Sequence, residues 1–267
     1  MKKYILSALL ACLPFSVFAN QSPPRPMSAC ESQAPYGWPQ TNKPNTTPIC
    51  RNAYALLHDN MAKISSWVVY TLTPENTIGC VVRTNSFATD QSLPVGQRSE
   101  LIDYYKSGYD TGHIANNGDM SWNATVERES FILSNMVPQL PSLNRGIWKL
   151  LETGVRTWAW QTGHSFTIYA GGIYTNNSNT IGPNRVVVPD AFYKIVIDNT
   201  AQKSMAWIFP HRENLGTSLV VYQVTVQDVE NATGIVFPVP DNKSSRNIML
   251  PISIAQFTKT KATQCAR

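Results

Sequence analysis

The 267 residues form a chain long enough to bury one large core, and no linker, internal repeat or low-complexity segment divides it. Charged residues make up 15% of the chain, and the net charge of +5 is too mild to indicate a nucleic-acid-binding protein by itself. These features exclude a repeat protein and favour a single domain preceded by an N-terminal arm.

The first residues have the pattern of a signal peptide. Two lysines precede an apolar run at 4–15, and Val17 and Ala19 place small side chains where signal peptidase reads them. We therefore expect residues 1–19 to be removed and the protein to be exported, to the periplasm or out of the cell. No membrane association is expected afterwards, because no later stretch approaches about 20 apolar residues. Lipid attachment at Cys12 is the alternative, but the apolar run continues past this cysteine.

Without Cys12, the chain keeps Cys30, Cys50, Cys80 and Cys265. An even number of cysteines in an exported protein favours two disulfides, for which three pairings are possible. A bond from Cys30 to Cys50 would close a proline-rich loop, and one from Cys80 to Cys265 would tie the C-terminus to the body. A zinc site is the competing interpretation, but it has no CxxC, no HExxH and no histidine near a cysteine to support it.

The order of predicted elements indicates a mixed α+β fold. Residues 20–60 form an arm rich in Pro, Ser, Thr and Asn with its own disulfide, and residues 61–267 form the main domain. Segments rich in Val, Ile, Tyr and Trp predict strands at 67–72, 80–84, 165–173, 185–197 and 204–209. A helix is predicted at 144–160, with one buried face formed by Ile147, Leu150, Leu151, Val155 and Trp158. Antiparallel sheets on both sides of a helical layer fit this order.

His113 lies in an unusual stretch, GYDTGHIANNGDM, at 108–120. A buried structural histidine normally has apolar neighbours, whereas small, polar and turn-forming residues surround this one. The sequence neighbours that make the surroundings polar are Asp110, Thr111, Asn116, Asn117 and Asp119. His113 is therefore a candidate for chemistry rather than for packing.

Asn144 and Glu152 lie eight residues apart in the predicted helix, so their side chains share roughly one side of it. An amide and a carboxylate placed in this way can bind magnesium, which keeps most of its water and needs only one or two protein oxygens. An asparagine that caps a helix and a solvated glutamate would give the same spacing. Spacing alone leaves both interpretations open.

Four motifs in this order resemble the DNA/RNA non-specific endonucleases, a family of ββα-metal nucleases that includes endonuclease G. They are DTGH at 110–113, LSNMVPQ at 133–139, LNRGIW at 143–148 and LE at 151–152. RTNSFATD at 83–90 and TG at 233–234 extend the resemblance to roughly residues 67–237. The resemblance implies a ββα-metal nuclease fold for residues 61–267, in which antiparallel sheets flank a helical layer that carries the metal site.

The resemblance also implies roles for the residues that match the motifs. His113 matches a general base that takes a proton from the attacking water, a task suited to a pKa near neutrality. Asn144 matches the direct magnesium ligand, and Glu152 matches the residue that orients metal-bound water; manganese or another divalent cation is the alternative metal. Asn135 would align His113 or the backbone around it. Magnesium would neutralise developing charge and assist the leaving 3′ oxygen, which gives 5′-phosphate ends.

Contacts to the phosphate backbone are implied for Arg83, Arg156 and Thr111, which gives DNA and RNA as partners with little sequence specificity. Thr111 is a departure, because the family has arginine there to stabilise charge on the phosphate. Losing such a donor costs on the order of a hundredfold in rate, since threonine offers one neutral hydrogen bond. Besides Arg83, the cations that could replace this charge are Arg98, Lys106 and Arg145.

Two other functions remain open on sequence grounds. The departure at Thr111 is compatible with a relative that binds nucleic acid without cutting it. The stretch GHSFT at 163–167 imitates the nucleophile motif of a serine esterase around Ser165, but Thr167 occupies its final glycine position. The oligomeric state is not specified by the sequence.

Overall fold

The computed structural model describes residues 21–247 and 253–266. The predicted signal peptide at 1–19 and Cys12 lie outside these residues. No helix within them is long and apolar enough to cross a membrane.

Strands and short helices alternate along the chain. The strands are β1 (Thr46–Cys50), β2 (Ala55–Asp59), β3 (Ile64–Leu72), β4 (Asp110–His113), β5 (Met136–Gln139), β6 (Phe166–Ile173), β7 (Thr180–Ile181), β8 (Val186–Val187), β9 (Ala191–Asp198), β10 (Lys203–Pro210) and β11 (Gln223–Val224). The α-helices are α1 (Leu101–Tyr104), α2 (Asn117–Met120), α3 (Ala124–Glu129), α4 (Pro141–Leu143), α5 (Lys149–Thr162), α6 (Val226–Thr233) and α7 (Ile254–Cys265). A 3₁₀ helix at Met27–Gln33 precedes β1, and a π-helical turn at Asn144–Trp148 precedes α5.

An antiparallel sheet organises the fold, in the order β1-β2-β3-β6-β9-β10-β11. Successive side chains of a strand point to opposite faces, and this sheet buries both. On β3, Val68 and Tyr70 belong to one core, whereas Trp67 and Val69 belong to another. Helix α5 contributes to the first core, and α6 and the 3₁₀ helix contribute to the second. Burial on both faces explains why the strands are apolar almost throughout.

The predicted helix at 144–160 is present, but it begins irregularly. Gly146 has φ −99° and ψ −116°, which interrupts the helical backbone within the π-helical turn. Helix α5 then continues to Thr162, and Gly163 ends it with a left-handed φ of 71°. The kink at Gly146 separates Asn144 from the regular helix that carries Glu152.

Two of the strand predictions are wrong. Residues 80–84 form no strand in the described structure, because Val82 is 81% exposed and the backbone N–H of Thr84 donates to the carboxylate of Glu127 instead of to a neighbouring strand. The strand predicted at 185–197 is broken into β8 and β9. Pro189 lies at the break, where it has no N–H to donate to a sheet.

The cysteines form two disulfides, Cys30–Cys50 and Cys80–Cys265. The first joins the 3₁₀ helix to the end of β1, and the second joins the end of α7 to the loop after β3. Strands β1 and β2 lie within residues 20–60; β1 pairs with β2 and β2 pairs with β3, so the central sheet extends into the range that the sequence assigns to the arm.

A buried ion pair fixes the loop after β3 to the turn between β1 and β2. Nη2 of Arg51 donates to both carboxylate oxygens of Asp90 at 2.8 Å, and each side chain is 1% exposed. The hydroxyl groups of Ser92 and Ser134 donate to the same carboxylate. Hydrogen bonds from Arg51 and these serines therefore keep the pKa of Asp90 below its ordinary value, although burial alone would raise it.

Candidate active site

Strands β4 and β5 bring two of the sequence motifs side by side. They pair antiparallel, with Asp110 opposite Gln139 and His113 opposite Met136. Gly112 is required at this point, because a Cβ atom there would collide with the side chain of Gln139. The DTGH motif is therefore held by its pairing with the segment that follows Asn135.

A cleft of about 790 Å³ opens between β4, α2 and the start of α5. Six of the seven predicted site residues line it, namely Arg83, Thr111, His113, Asn144, Glu152 and Arg156. The seventh, Asn135, is buried beneath the cleft. The cleft thus collects residues that lie more than 70 positions apart in the sequence.

The imidazole of His113 lies at the inner side of the cleft and is only 9% exposed. It packs edge-on against Phe131, with ring centroids 4.8 Å apart, and near Phe87 at 5.9 Å. Burial, with a smaller contribution from the charge of Arg83, lowers its pKa to about 3 rather than leaving it near neutrality. Nε2 is buried and has no hydrogen-bond partner among the described residues. His113 is consequently a neutral imidazole at neutral pH.

Asn135 holds the backbone directly after His113. Its Oδ1 accepts from the N–H of Ala115 at 2.8 Å, and its Nδ2 donates to the carbonyl of the same residue at 2.9 Å. The carbonyl of Asn135 also accepts from the N–H of Ile114 at 3.0 Å. Asn135 therefore fixes the position of the loop that follows His113, and it does not itself face the cleft.

Asn144 and Arg145 converge on Asp110. Nδ2 of Asn144 donates to Oδ2 of Asp110 at 2.9 Å, and Arg145 makes a two-pronged ion pair with the same carboxylate at 2.6 and 2.9 Å. Burial would raise the pKa of Asp110, but hydrogen bonds from Arg145 and Asn144 lower it below the ordinary value. Because Nδ2 is engaged, Asn144 keeps its Oδ1 as an acceptor that no described residue uses.

Glu152 is buried next to a lysine that the sequence analysis did not identify. Its Oε1 lies 3.7 Å from Nζ of Lys194 on β9, and Nζ lies 4.2 Å above the ring of Trp148. Burial raises the pKa of Glu152 to about 7, against the opposing charges of Lys194 and Arg156. A lysine within the apolar segment YKIVI was the available signal, because a fully buried lysine requires a partner.

Arg156 is held in position by an ion pair with the buried carboxylate of Asp119. Its Nη1 donates to Oδ1 of Asp119 at 2.6 Å, and the hydroxyl of Tyr70 donates to Oδ2 of the same carboxylate at 2.7 Å. A Cβ atom on Gly118 would lie 2.7 Å from Nη1, so the missing side chain makes room for the guanidinium. Asp119 therefore balances the charge of Arg156, and neither Asp119 nor Tyr70 was among the predicted site residues.

The other predicted cations differ in their access to the cleft. Nε of Arg83 donates to Asn85 at 2.7 Å, and its guanidinium stacks 4.7 Å above the ring of Phe131, which leaves it on the cleft wall. Arg145 also lines the cleft. Arg98 is bound to Glu100 and to a backbone carbonyl, and Lys106 lies beside Tyr105, so neither of these two reaches the cleft.

Two further residues on the cleft wall were missed. Tyr109 lines the cleft beside His211. Lys149 lines it from the first turn of α5. The helical spacing of Arg145, Lys149, Glu152 and Arg156 was the signal that could have identified the lysine.

Ser165 has no catalytic histidine beside it in the described residues. Its hydroxyl accepts from Nδ2 of Asn199 at 3.1 Å, and Nδ1 of His164 is bonded to Asp198 at 2.8 Å. Neither residue lines the cleft. The structure offers no support for a serine esterase.

The oxygen atoms in the cleft suit a hard divalent cation. No group of three or more His, Cys, Asp or Glu side chains that could hold a metal occurs in the described residues. Magnesium does not need such a group, because water fills most of its coordination positions. Asn144 and Glu152 line the same cleft; Oε1 of Glu152 has no hydrogen-bond partner in the described chain, and the bond from Nδ2 of Asn144 to Asp110 leaves the amide oxygen Oδ1 as its acceptor. These atoms fit magnesium better than zinc, which prefers nitrogen and sulfur.

Glu152 should make the metal-free protein less stable as the pH rises from its ordinary pKa of 4.5 to about 7. In this range the folded carboxyl keeps a proton that the unfolded chain has lost, so folding becomes less favourable with increasing pH. Glu152→Gln stays neutral, and its unfolding free energy relative to wild type should increase from about pH 5 to about pH 8. Urea unfolding in EDTA measures the difference. If the unfolding free energies of wild type and Glu152→Gln change equally with pH, the pKa of Glu152 is not raised.

Comparisons with known proteins agree on one family. A model described as DNA/RNA non-specific endonuclease matches residues 34–243. Mitochondrial endonuclease G of Homo sapiens is 31% identical over 201 residues, covering 70% of this chain and 68% of that protein. Nuclease C1 of Cunninghamella echinulata var. echinulata is 32% identical over 204 residues, covering 70% and 81%. A chain in the crystal structure of the EndoG/EndoGI complex aligns with a TM-score of 0.72 and 28% identity, covering 80% of this chain and 93% of that one.

Proposed function

Because the chain belongs to the DNA/RNA non-specific endonuclease family and is a nuclease of the ββα-metal fold, we propose that it hydrolyses phosphodiester bonds of DNA and RNA with a magnesium ion in its cleft. One observation carries the proposal. His113 and Asn144 line the same cleft; Nε2 of His113 has no hydrogen-bond partner in the described chain, and the amide of Asn144 is oriented by the bond from its Nδ2 to Asp110. A base and a metal ligand are thereby available to one substrate.

His113 is the general base of the proposed reaction. Its imidazole is neutral at neutral pH, so Nε2 can accept a proton from the water that attacks phosphorus. Phe131 and Phe87 restrict the ring by packing, and Asn135 fixes the backbone that follows it. In the free enzyme His113 binds this proton weakly. Its pKa should rise when the negative phosphate enters the cleft, because a nearby negative charge favours the protonated imidazole.

Asn144 and Glu152 would hold the magnesium ion, directly in the case of Asn144 and through water in the case of Glu152. When bound, the ion neutralises negative charge that develops on the phosphate. Asp110 orients Asn144 by accepting from its Nδ2, which turns Oδ1 away from the ion pair with Arg145. Lys194 balances the charge of Glu152 when this carboxyl is ionised.

Arg83 and Arg156 are the proposed phosphate contacts. Thr111, in the DTGH motif, would donate one neutral hydrogen bond to the phosphate. Arg83 has no acidic partner within hydrogen-bond distance in the described chain, so its charge is available to a substrate. Arg156 is bound to Asp119 and acts mainly through its fixed position. These contacts go to the backbone of the nucleic acid, which gives little base specificity.

We further propose that the protein acts after export and that residues 1–19 are its signal peptide. Two disulfides support this proposal, since such bonds persist mainly in oxidising compartments. The proposed division of the mature chain is an arm at 20–60 and a nuclease domain at 61–267. Edman sequencing of the exported protein would test the cleavage site, and an intact Met1 would contradict it.

Cleavage of plasmid DNA and of a single-stranded RNA by the purified protein tests the proposed function. Magnesium should support cleavage of both, and EDTA should stop it because the metal is removed. Cleavage that persists in EDTA would contradict the metal requirement. Salt-dependent binding with no cleavage, across several divalent metals, would instead identify a non-catalytic relative that binds nucleic acid.

Asn144→Ala is expected to raise the magnesium concentration needed for half-maximal activity by about 10- to 100-fold, because a ligand oxygen is lost. Ser142→Ala is a matched control, since Ser142 is an exposed polar residue at the start of the same helical segment. Titration of each variant with magnesium gives the comparison. An unchanged magnesium requirement for Asn144→Ala would exclude Asn144 as a ligand.

A further inference from the structure

The π-helical turn at Asn144–Trp148 and helix α5 together carry four charged residues that face the cleft. Arg145, Lys149, Glu152 and Arg156 are spaced by four, three and four positions, and all four line the cleft. Residues three or four positions apart are neighbours on a helix surface. The kink at Gly146 lies between Arg145 and Lys149, so helical spacing relates the residues of this charged stripe only from Lys149 onwards, and Arg145 joins them as a residue of the same cleft lining.

Three members of the stripe already have partners of opposite charge. Arg145 is paired with Asp110, Arg156 with Asp119, and Glu152 with Lys194. These pairs cancel most of the charge that the residues would otherwise offer to a substrate.

Lys149 differs from the rest of the stripe. Lys149 is exposed at the cleft, and its ammonium group makes no hydrogen bond or ion pair with the described residues. A lysine ammonium is a compact point charge on a flexible stem, which can reach a phosphate without a fixed geometry. With Arg83, it is one of two cations of the cleft lining for which the described residues form no salt bridge.

The cleft needs such a charge because Thr111 supplies none. Thr111 follows Asp110 on β4, and Asn144 and Arg145 both donate to the carboxylate of that aspartate. Arg145 cannot fully compensate, since its guanidinium is bound to Asp110 through two hydrogen bonds. Lys149 begins helix α5 directly after the kinked turn that carries Arg145, and both residues line the cleft.

We propose that Lys149 is a nucleic-acid contact, whose ammonium group binds a backbone phosphate of the strand in the cleft, away from the reacting phosphate. This inference rests on the proposed function. A flexible, exposed lysine contributes to binding rather than to the geometry of the reacting phosphate. It should therefore affect affinity and its dependence on salt.

Binding of a short fluorescent DNA duplex to His113→Ala protein tests the inference without turnover. Adding Lys149→Gln should weaken binding by about 3- to 10-fold at about 0.1 M salt and reduce the slope of log Kd against log salt by about 0.9, because one phosphate contact is lost. Lys106→Gln is the matched control, since Lys106 is an exposed lysine outside the cleft, and it should change neither quantity.

An unchanged affinity and salt slope for Lys149→Gln would overturn the inference. So would a lower kcat in the otherwise wild-type enzyme with no change in binding, because Lys149 would then act on the reaction itself. Failure of the proposed function is seen separately, as the absence of plasmid cleavage by wild-type protein, whose Lys149 is intact. Circular dichroism of each variant confirms that the compared proteins are folded.

Discussion

Replacing His113 with alanine is expected to lower kcat by about 10²- to 10⁴-fold, the usual contribution of a positioned general base. The ring packs edge-on against Phe131 and close to Phe87, so the imidazole has a defined position at the cleft. Substrate binding should change little, because a neutral imidazole contributes no charge to phosphate recognition. Single-turnover cleavage of plasmid DNA at saturating magnesium measures the effect.

His164→Ala is the control for this prediction. His164 is bonded to Asp198 after the end of α5 and does not line the cleft, so its loss should leave kcat within about twofold of wild type. Equal losses in the two variants would mean that removing a histidine harms the fold rather than the chemistry. Near-normal activity of His113→Ala would exclude this residue as the base.

Asp90→Ala should lower the free energy of unfolding by about 3–5 kcal/mol, because it leaves the guanidinium of Arg51 buried without its counter-ion. Ser92 and Ser134 would also lose the acceptor of their hydroxyl groups. Urea unfolding with the disulfides intact measures the change. Glu31→Ala is the surface control and should stay within about 0.5 kcal/mol of wild type, since Glu31 is exposed.

The double variant Arg51→Met with Asp90→Leu separates loss of the pair from loss of packing. Two apolar side chains remove both charges together, so most of the stability lost in Asp90→Ala should return. If the double variant is as unstable as Asp90→Ala, the destabilisation comes from the shape of the site and the unpaired charge is not its cause.

The sequence was sufficient to predict the family, the α+β fold and six of the residues that line the cleft. The comparisons confirm the family and the fold. The sequence could predict them because each motif is a short local stretch that is recognised from its own residues. The helix at 144–160 was also predicted correctly in its main part, since Leu151, Val155 and Trp158 repeat with the helical period. The catalytic roles of the individual residues remain predictions.

Features that depend on distant residues could not be predicted. The polar neighbours of His113 suggested solvated surroundings, but its ring is buried against Phe131 and Phe87, which lie 18 and 26 positions away. This burial is why its pKa is low rather than near neutral. Lys194 was missed for the same reason, because only the packing of β9 against α5 brings it to Glu152. Residues 80–84 have strand-forming side chains but no strand to pair with in the described structure.

The bond between Cys80 and Cys265 closes most of the chain into a covalent ring. Every residue that lines the cleft, from Arg83 to Arg156, belongs to this ring. A protease that cuts one exposed loop within it would open the ring without releasing a fragment, because the two pieces stay joined through sulfur. A nicked molecule would therefore keep its whole cleft in one covalent assembly, and would separate into fragments only after reduction or a second cut.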